Sequence, residues 1–578
     1  FSMLPLHRVG AALRLPLLLA LILSTCSAFN PSSLSLHRFG LKGLRRELSP
    51  QSAQSPLHPI QRDRSSLRTQ TGSRISPSIL GLSAKIADVK YGTVCVESAG
   101  RFESLFLDEA TDAVPIEAVR AEEYEGWLSS QDDATKKWVK GMKFSASLGD
   151  SARHLIIPDD SSTIKKVVLI VGDVEGYGEW LSFAGLPSSL PRGMGPYKIV
   201  SMAGVPPDMV ALAWSLGAYS FDYFKKNAEK PADKFVSVEW PEGASKTTVK
   251  HMGEAIFMSR DLISTPGEEM APGDLQDAAE CLASLHRGSS NTIVGGDLLK
   301  RGYPMVHAVG RAAMEGYHAP RLIDLKWGSS SDPKLTIVGK GVTFDTGGLD
   351  IKPASAMRVM KKDMGGAAVA LGLAHLIMAE KVKVNLRVLI PAVENAVNGN
   401  AFRPGDILTS RNGMTTEIGN TDAEGRLVMA DALVAGCEES PDLLLDLATL
   451  TGAGRVALGA DVPAIFSNDD ELASDLCSKS KSVNDLVWQL PLFKGYQRML
   501  ASKFADVKNV AEGSGYGGAI TAALYLQKFV TKDTKWVHMD FMAYNAATRP
   551  GRPEGGEAMG LRAMYELIKD SYGTAEEK

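Results

Sequence analysis

The chain has 578 residues, 44% of them hydrophobic, and a formal net charge of -4 at pH 7, a balance that fits a soluble globular protein of two or more domains with ample core. Beyond the N-terminal region there is no long basic block, so the electrostatic footprint of a nucleic-acid binder is missing. Five scattered cysteines without a CxxC pair, and 10 histidines without an HExxH arrangement, argue against a disulfide framework and a thiolate or histidine-based metal motif; any metal is expected to be held largely by carboxylates.

At the N-terminus, Arg8 and Arg14 precede the apolar run LPLLLALIL (Leu15 to Leu23), and the small-residue stretch STCSAF follows. This has the parts of a secretory signal, with an apolar run short for a bilayer span. From 29 to 82 the chain is rich in Ser, Arg and Pro, with Glu47 and Asp63 as its only acids, the composition of an organelle transit peptide. A signal-like segment (1–28) followed by a transit-like one (29–82), with Phe29 at the junction, resembles the two-part presequence of algae with secondary plastids. Plastid import is therefore expected, the alternative being a cytoplasmic protein with a disordered extension. Phe1 in place of Met also points to an incomplete gene model.

Residues 83–230 read as a small α/β domain, with a strand in KKVVLIVGD (Lys165 to Asp173) and a helix in DMVALAWSLGAYSFDYF (Asp208 to Phe224). The charged stretch KKNAEKPADK (Lys225 to Lys234) interrupts the pattern, and 231–250 is read as a linker. Within 251–578, strands are expected at Lys334 to Gly341, Val384 to Asn395, Asp442 to Gly452 and Lys535 to Tyr544. They alternate with helices at Gly365 to Lys381, Arg426 to Gly436 and Gly518 to Val530. Near-continuous apolar strands joined through helices predict a larger domain whose central mixed, largely parallel sheet is flanked by helices, with its site beyond the strand ends.

Two loops after those strands are polar and glycine-rich. VGKGVTFDTGGLDIKPASAMRVMKKDMGGAA offers Lys340, Asp345, Lys352 and Asp363; NTDAEGRL (Asn420 to Leu427) offers Asp422, Glu424 and Arg426. If NTDAEGRL is extended, alternation puts Asp422, Glu424 and Arg426 on one face. Four carboxylates sharing a dry cleft must raise one another's pKa or find cations. Hard oxygen donors suit Mg, Mn or Zn, and a pair of ions roughly 3.5–4 Å apart is the arrangement of two-metal hydrolysis. Plainer readings exist for each residue. Asp363 could be a helix N-cap and Asp422 an Asx-turn residue. Lys340 and Lys352 could be surface charges, although among small and apolar neighbours a buried amine tends to lose its proton. Arg426 at a helix start opposes the macrodipole, which an anion held between its guanidinium and the first backbone N–H groups would explain. His307, His318 and His538 lack metal-like spacing and read as structural.

Together VGKGVTFDTGGLDIKP, KKDMGGAA and NTDAEGRL resemble the leucyl aminopeptidase (cytosol aminopeptidase) family, and the likeness continues through DLATLTGA, GGAITAALYLQKF and RPGRPEGGEAMGLRAMYELI. The resemblance implies that Asp345 and Glu424 bridge two divalent ions (Mn or Zn, with Mg a further candidate). Lys340 and Asp363 would complete one site, and Asp422 the other. It further implies that Lys352 polarises the scissile carbonyl and that Arg426 holds a bicarbonate ion as general base. Met360, Thr449, Leu450 and Gly452 would line the pocket for the first side chain, with Asn420 also at the substrate. Peptide substrates, a preference for leucine and other neutral N-terminal residues, and a homohexamer with catalytic domains inside are implied as well; nucleic acid and, after presequence removal, membrane are not expected. Alternatives are a two-metal phosphoesterase and a relative acting as a DNA-binding regulator. One departure stands out: Ser264, Thr265, Pro266 occupy the place of the family's Asn-x-Pro, where local packing is expected to differ.

Overall fold

The computed structural model describes residues 90–97, 102, 104–146, 153–159, 163–511 and 515–575, all within one unit, Ile75–Lys578. The expected presequence, 1–82, lies outside the described residues. Two α/β sheets organise the rest. The first has six strands in the order Phe106–Leu107, Val238–Glu239, Tyr197–Met202, Val114–Arg120, Ile164–Val171 and Arg153–Pro158. Neighbours run parallel except the last pair. Ile164–Val171 shows why the sheet is covered twice: Val167, Leu169 and Val171 enter the main core, while Val168 and Ile170 join Tyr124 and Val139 in a smaller one on the opposite face. The strand Val238–Glu239 and the start of the helix Lys246–Ser264 both fall in the stretch read as a linker.

The helix expected at Asp208 to Phe224 runs only Pro207–Gly217. A Cβ at Gly217 would lie 1.9 Å from the Ala184 carbonyl oxygen, and beyond it the chain leaves the helix so that the Tyr219 and Tyr223 hydroxyls donate to Asp261, at 2.7 and 3.2 Å. Tertiary contacts override the apolar pattern here.

The second sheet has nine strands. Eight follow the order Trp488–Gln489, Ala464–Ser467, Trp536–Asp540, Leu443–Ala448, Lys334–Gly339, Asn385–Asn395, Arg321–Trp327 and Ser289–Val294, and Gly341–Asp345 pairs with Asn385–Asn395. The centre is parallel and antiparallel pairings lie toward the edges, giving the mixed, mostly parallel sheet that the sequence predicts. Ile337 packs toward the helix Gly365–Ala379, and its neighbour Val338 toward the helix Gly425–Cys437. Gly365–Ala379 presses its first turn onto the strand ends, because a Cβ at Gly366 would sit 2.0 Å from the Leu447 carbonyl oxygen. Among the described residues no helix is long and apolar enough to cross a membrane.

Candidate active site

Five mutually parallel strands end at one edge of the second sheet, and each delivers a polar residue there. Lys340 follows Lys334–Gly339, Asp345 closes Gly341–Asp345, Asn395 closes Asn385–Asn395, Thr449 follows Leu443–Ala448 and Asp540 closes Trp536–Asp540. This is the edge at which open α/β sheets hold ligands.

After Asp345 the chain turns through Gly347 and Gly348, at φ +86° and +67°, a conformation open to glycine. The turn lets the Gly347 N–H donate to Asp345 Oδ1 at 2.9 Å and brings Lys352 back, its Nζ 2.8 Å from Asp345 Oδ2 and paired also with Asp422. NTDAEGRL is not extended, contrary to the alternation argument. Asn420 Oδ1 accepts the Asp422 N–H at 2.7 Å, an Asx turn made by Asn420 rather than Asp422. Glu424 then stands at the N-cap of Gly425–Cys437 with helical dihedrals. The turn still gathers the carboxylates: ligand oxygens of Asp345, Asp422 and Glu424 lie within 4.8 Å of one another.

Lys340 ties in the fourth acid. Its Nζ is 3.0 Å from Glu424 Oε1 and 2.6 Å from Asp363 Oδ2. Gly425 makes this possible, since a Cβ there would lie 2.4 Å from Lys340 Cε. Asp363 is not a helix cap: it sits in the 3₁₀ turn Met360–Met364, and the N-cap of Gly365–Ala379 is Met364, with no side-chain bond. Instead Asp363 Oδ1 accepts from the Thr449 hydroxyl at 2.8 Å, with Lys362 Nζ 3.7 Å away.

Burial, and then Asp345, push the Glu424 carboxyl up to about 8; burial raises Asp422 as well. Burial also works against ionised Asp363, but Lys340 and Lys362 outweigh it and hold it below its ordinary value. Burial lowers both Lys340 and Lys352, yet the carboxylates around them dominate and raise both. The expectation that these amines shed their protons is thus reversed wherever acids surround them. Lys362, with weaker compensation, is pulled by burial down to about 8. Convergent hard oxygens in a buried, charge-crowded cleft fit divalent cations, which would hold Glu424 ionised.

Arg426 is buried in the first turn of its helix, and its Nη1 donates to the Asn509 carbonyl at 2.6 Å while Nε has no hydrogen-bond partner. Asn509 Nδ2 donates to the Asn420 carbonyl at 2.7 Å, and its Oδ1 accepts the Gly419 N–H at 2.8 Å, so it locks the NTD turn in place. Met360 and Thr449 are buried, Leu450 is half-buried and Gly452 exposed. Asp540 Oδ1 accepts the N–H groups of Leu450 and Thr451, at 2.9 and 3.0 Å. Asn395 Nδ2 donates to Asp345 Oδ1 at 2.8 Å and reaches Glu424 Oε2 at 3.5 Å. Sequence reasoning missed Asn395, Asn509, Asp540 and Lys362; the only signal for Asn395 was a polar residue closing an apolar run. Ser264, in the departing Ser-Thr-Pro, accepts the Gly556 N–H at 2.9 Å with its hydroxyl.

Residues 257–565 match the catalytic domain of the cytosol aminopeptidase family, and 114–237 match the N-terminal domain of M17 aminopeptidases. The chain belongs to the cytosol aminopeptidase family. It is accordingly a hydrolase, a metal-dependent aminopeptidase acting on peptides. It is 38% identical to a probable cytosol aminopeptidase of Sinorhizobium fredii over 450 residues, covering 73% of this chain and 88% of that one. Over 380 residues, 63% of this chain and 74% of the other, it is 41% identical to a probable cytosol aminopeptidase of Agrobacterium fabrum. The crystal structure of the cytosol aminopeptidase of Coxiella burnetii superposes with a TM-score of 0.76 at 41% identity, over 81% of this chain and 100% of that one. The bottromycin maturation enzyme BotP in complex with Mn superposes with a TM-score of 0.68 at 29% identity, over 80% and 100%.

Proposed function

We propose that this aminopeptidase removes one N-terminal residue at a time by two-metal hydrolysis, with leucine and other neutral residues preferred. The observation carrying this reading is the meeting of Asp345, Asp422 and Glu424 oxygens within 4.8 Å, with Asp363 joined to them through Lys340. Two divalent ions would be held by Asp345 and Glu424, with Lys340 and Asp363 serving one of them and Asp422 the other. Mn or Zn are the leading candidates, with Mg a third; the Mn complex of BotP supports Mn. Bound ions would supply Lewis-acid polarisation and a water acidic enough to attack at neutral pH.

The chain's own groups supply the rest. Lys352, held charged by Asp345 and Asp422, offers a fixed cation to the oxygen of the scissile carbonyl as negative charge develops there. Asp363 would orient the free substrate amine, which would restrict cleavage to the chain end. Arg426, with an unused Nε at a helix N-terminus, would hold bicarbonate, which would supply a general base beside the carboxylates. Met360, Thr449, Leu450 and Gly452, with Asn420, would shape the pocket for the first side chain; an apolar pocket separates methylenes only modestly, so broad acceptance of neutral residues follows. A homohexamer and plastid import directed by 1–82 complete the reading. A fluorescent fusion of that segment would test the import, a diffuse cytosolic signal opposing it.

The decisive experiment strips the full chain with a chelator and follows leucine release from leucinamide as Mn, Zn or Mg is added. Activity should vanish on stripping and return with Mn or Zn, a phosphomonoester should stay intact, and Glu424→Gln should fold yet remain inactive. Undiminished turnover by Glu424→Gln would end this reading.

A further inference from the structure

Where the segment around Tyr177 and Trp180 meets the second sheet's helices, a chamber is lined by Arg260, Arg552 and Arg562 together with Glu557 and Asp485. Three cations face two anions. The acids are saturated: Glu557 takes the Arg260 fork at 3.1–3.2 Å, Asn545 Nδ2 at 2.7 Å and the Ala558 N–H at 3.0 Å. Asp485 takes the N–H groups of Gly560 and Arg562, at 3.0 and 2.9 Å. The arginines are not. Arg260, 1% exposed, spends Nη2 on the Gly551 carbonyl at 2.7 Å and on Glu557, and leaves Nη1 without a partner. Arg562, 7% exposed, spends Nη2 on the Asn484 carbonyl at 2.8 Å and also leaves Nη1 unpartnered. Arg552 Nε stands 3.8 Å from Glu557 Oε2, and neither Nε nor Nη2 makes a hydrogen bond.

Aromatic rings fix the flat faces of these guanidiniums. Arg260 lies over Tyr219 at 5.1 Å, Arg552 over Tyr177 at 4.5 Å and Arg562 over Trp180 at 4.6 Å. Stacking holds the planes and leaves the edges, where the N–H groups are, free to converge. Buried N–H groups of charged side chains without acceptors are rare, because each forfeits its hydration. The occupant that answers them is an acceptor with one negative charge, which balances three cations against two carboxylates. Room for the centre of a water-sized sphere is about 20 Å³, enough for a single small ion.

We propose that this chamber is a binding site for a small monovalent anion of the halide class, held by Arg260, Arg552 and Arg562, and that the ion clasps the N-terminal region to the catalytic one. The test uses the metal-loaded full chain at constant ionic strength, replacing gluconate with chloride or bromide. Linkage predicts a saturable rise in Tm of about 2 °C or more, not reproduced by the larger dianion sulfate. In Arg562→Gln the halide response should flatten while leucinamide turnover is unchanged. Equal Tm in gluconate and halide for the unaltered protein, or a rise with sulfate alone, overturns the proposal. Should Arg562→Gln fail to fold, bromide-soaked crystals of the unaltered chain decide: an anomalous peak touching Arg260 and Arg562 Nη1 upholds the site, and a chamber holding only water overturns it.

Discussion

The two sheets share a plan of parallel strands between helices, yet they treat charge in opposite ways. Among the described residues of 106–239 the buried polar side chains are Thr135, Ser182 and Ser215, none of them charged. At the strand ends of the second sheet Lys340, Asp345, Lys362, Asp363, Glu424 and Arg426 are all buried. The first sheet's equivalent edge carries pairs such as Arg120–Glu179, at 2.7 Å and partly in solvent. The same architecture is therefore a scaffold in one region and a reaction vessel in the other. What separates them is where desolvated charge is tolerated.

The largest expected contrast comes from Lys352→Ala, which removes the cation proposed to face the carbonyl oxygen. Turnover of leucinamide should fall about 10²–10³-fold while metal content stays near that of the parent; a smaller fall would move the oxyanion role elsewhere. Next, Asn395→Ala unfastens Asp345 from behind, and such outer supports typically cost about 10–100-fold in metal affinity or activity, read by metal titration. A third effect is on pH. His286 Nε2 lies 3.0 Å from His375 Nδ1, and burial, with His375 and His251, pulls His286 down to about 4. A depressed histidine adds stability that is present above its unfolded value and lost as pH falls through the folded one. Tm should therefore decline from about pH 6.5 to 4 more steeply in the parent than in His286→Gln. The difference should be about 1–2 kcal/mol after discounting for partial solvent screening. Smallest of all, Arg120→Ala in the first sheet should change stability by no more than about 1 kcal/mol and leave turnover untouched. A large loss of activity there would erase the contrast between the regions.

Much of this was legible in the letters. The strand expected at Lys334 to Gly341 is Lys334–Gly339, and the helix at Arg426 to Gly436 is Gly425–Cys437, because long apolar runs leave few alternatives. The motif residues Lys340, Asp345, Asp363, Asp422 and Glu424 could be named because they cluster in glycine-rich loops. How they meet could not. Strand alternation was the wrong device for NTDAEGRL, since a side-chain amide two residues upstream bends the backbone into a turn. Asn395 and Asn509 are single polar letters whose side chains hold Asp345 and the Asn420 carbonyl, 50 and 89 residues away, and no local pattern reports such a pairing. Arg552 and Arg562, within RPGRPEGGEAMGLR, carried family likeness in the sequence, while the chamber they share with Arg260 needed the fold.

The support of Arg426 and the Asn420 turn by Asn509, and of the Leu450 loop by Asp540, bears on the chain's own birth. These braces follow the motif in the chain, so a growing chain would already carry Asp345, Asp363, Asp422 and Glu424 yet lack the parts that steady the turn around them. Completion of the site is therefore tied to the folding of the later loops and strands, and not to the segment that supplies its carboxylates.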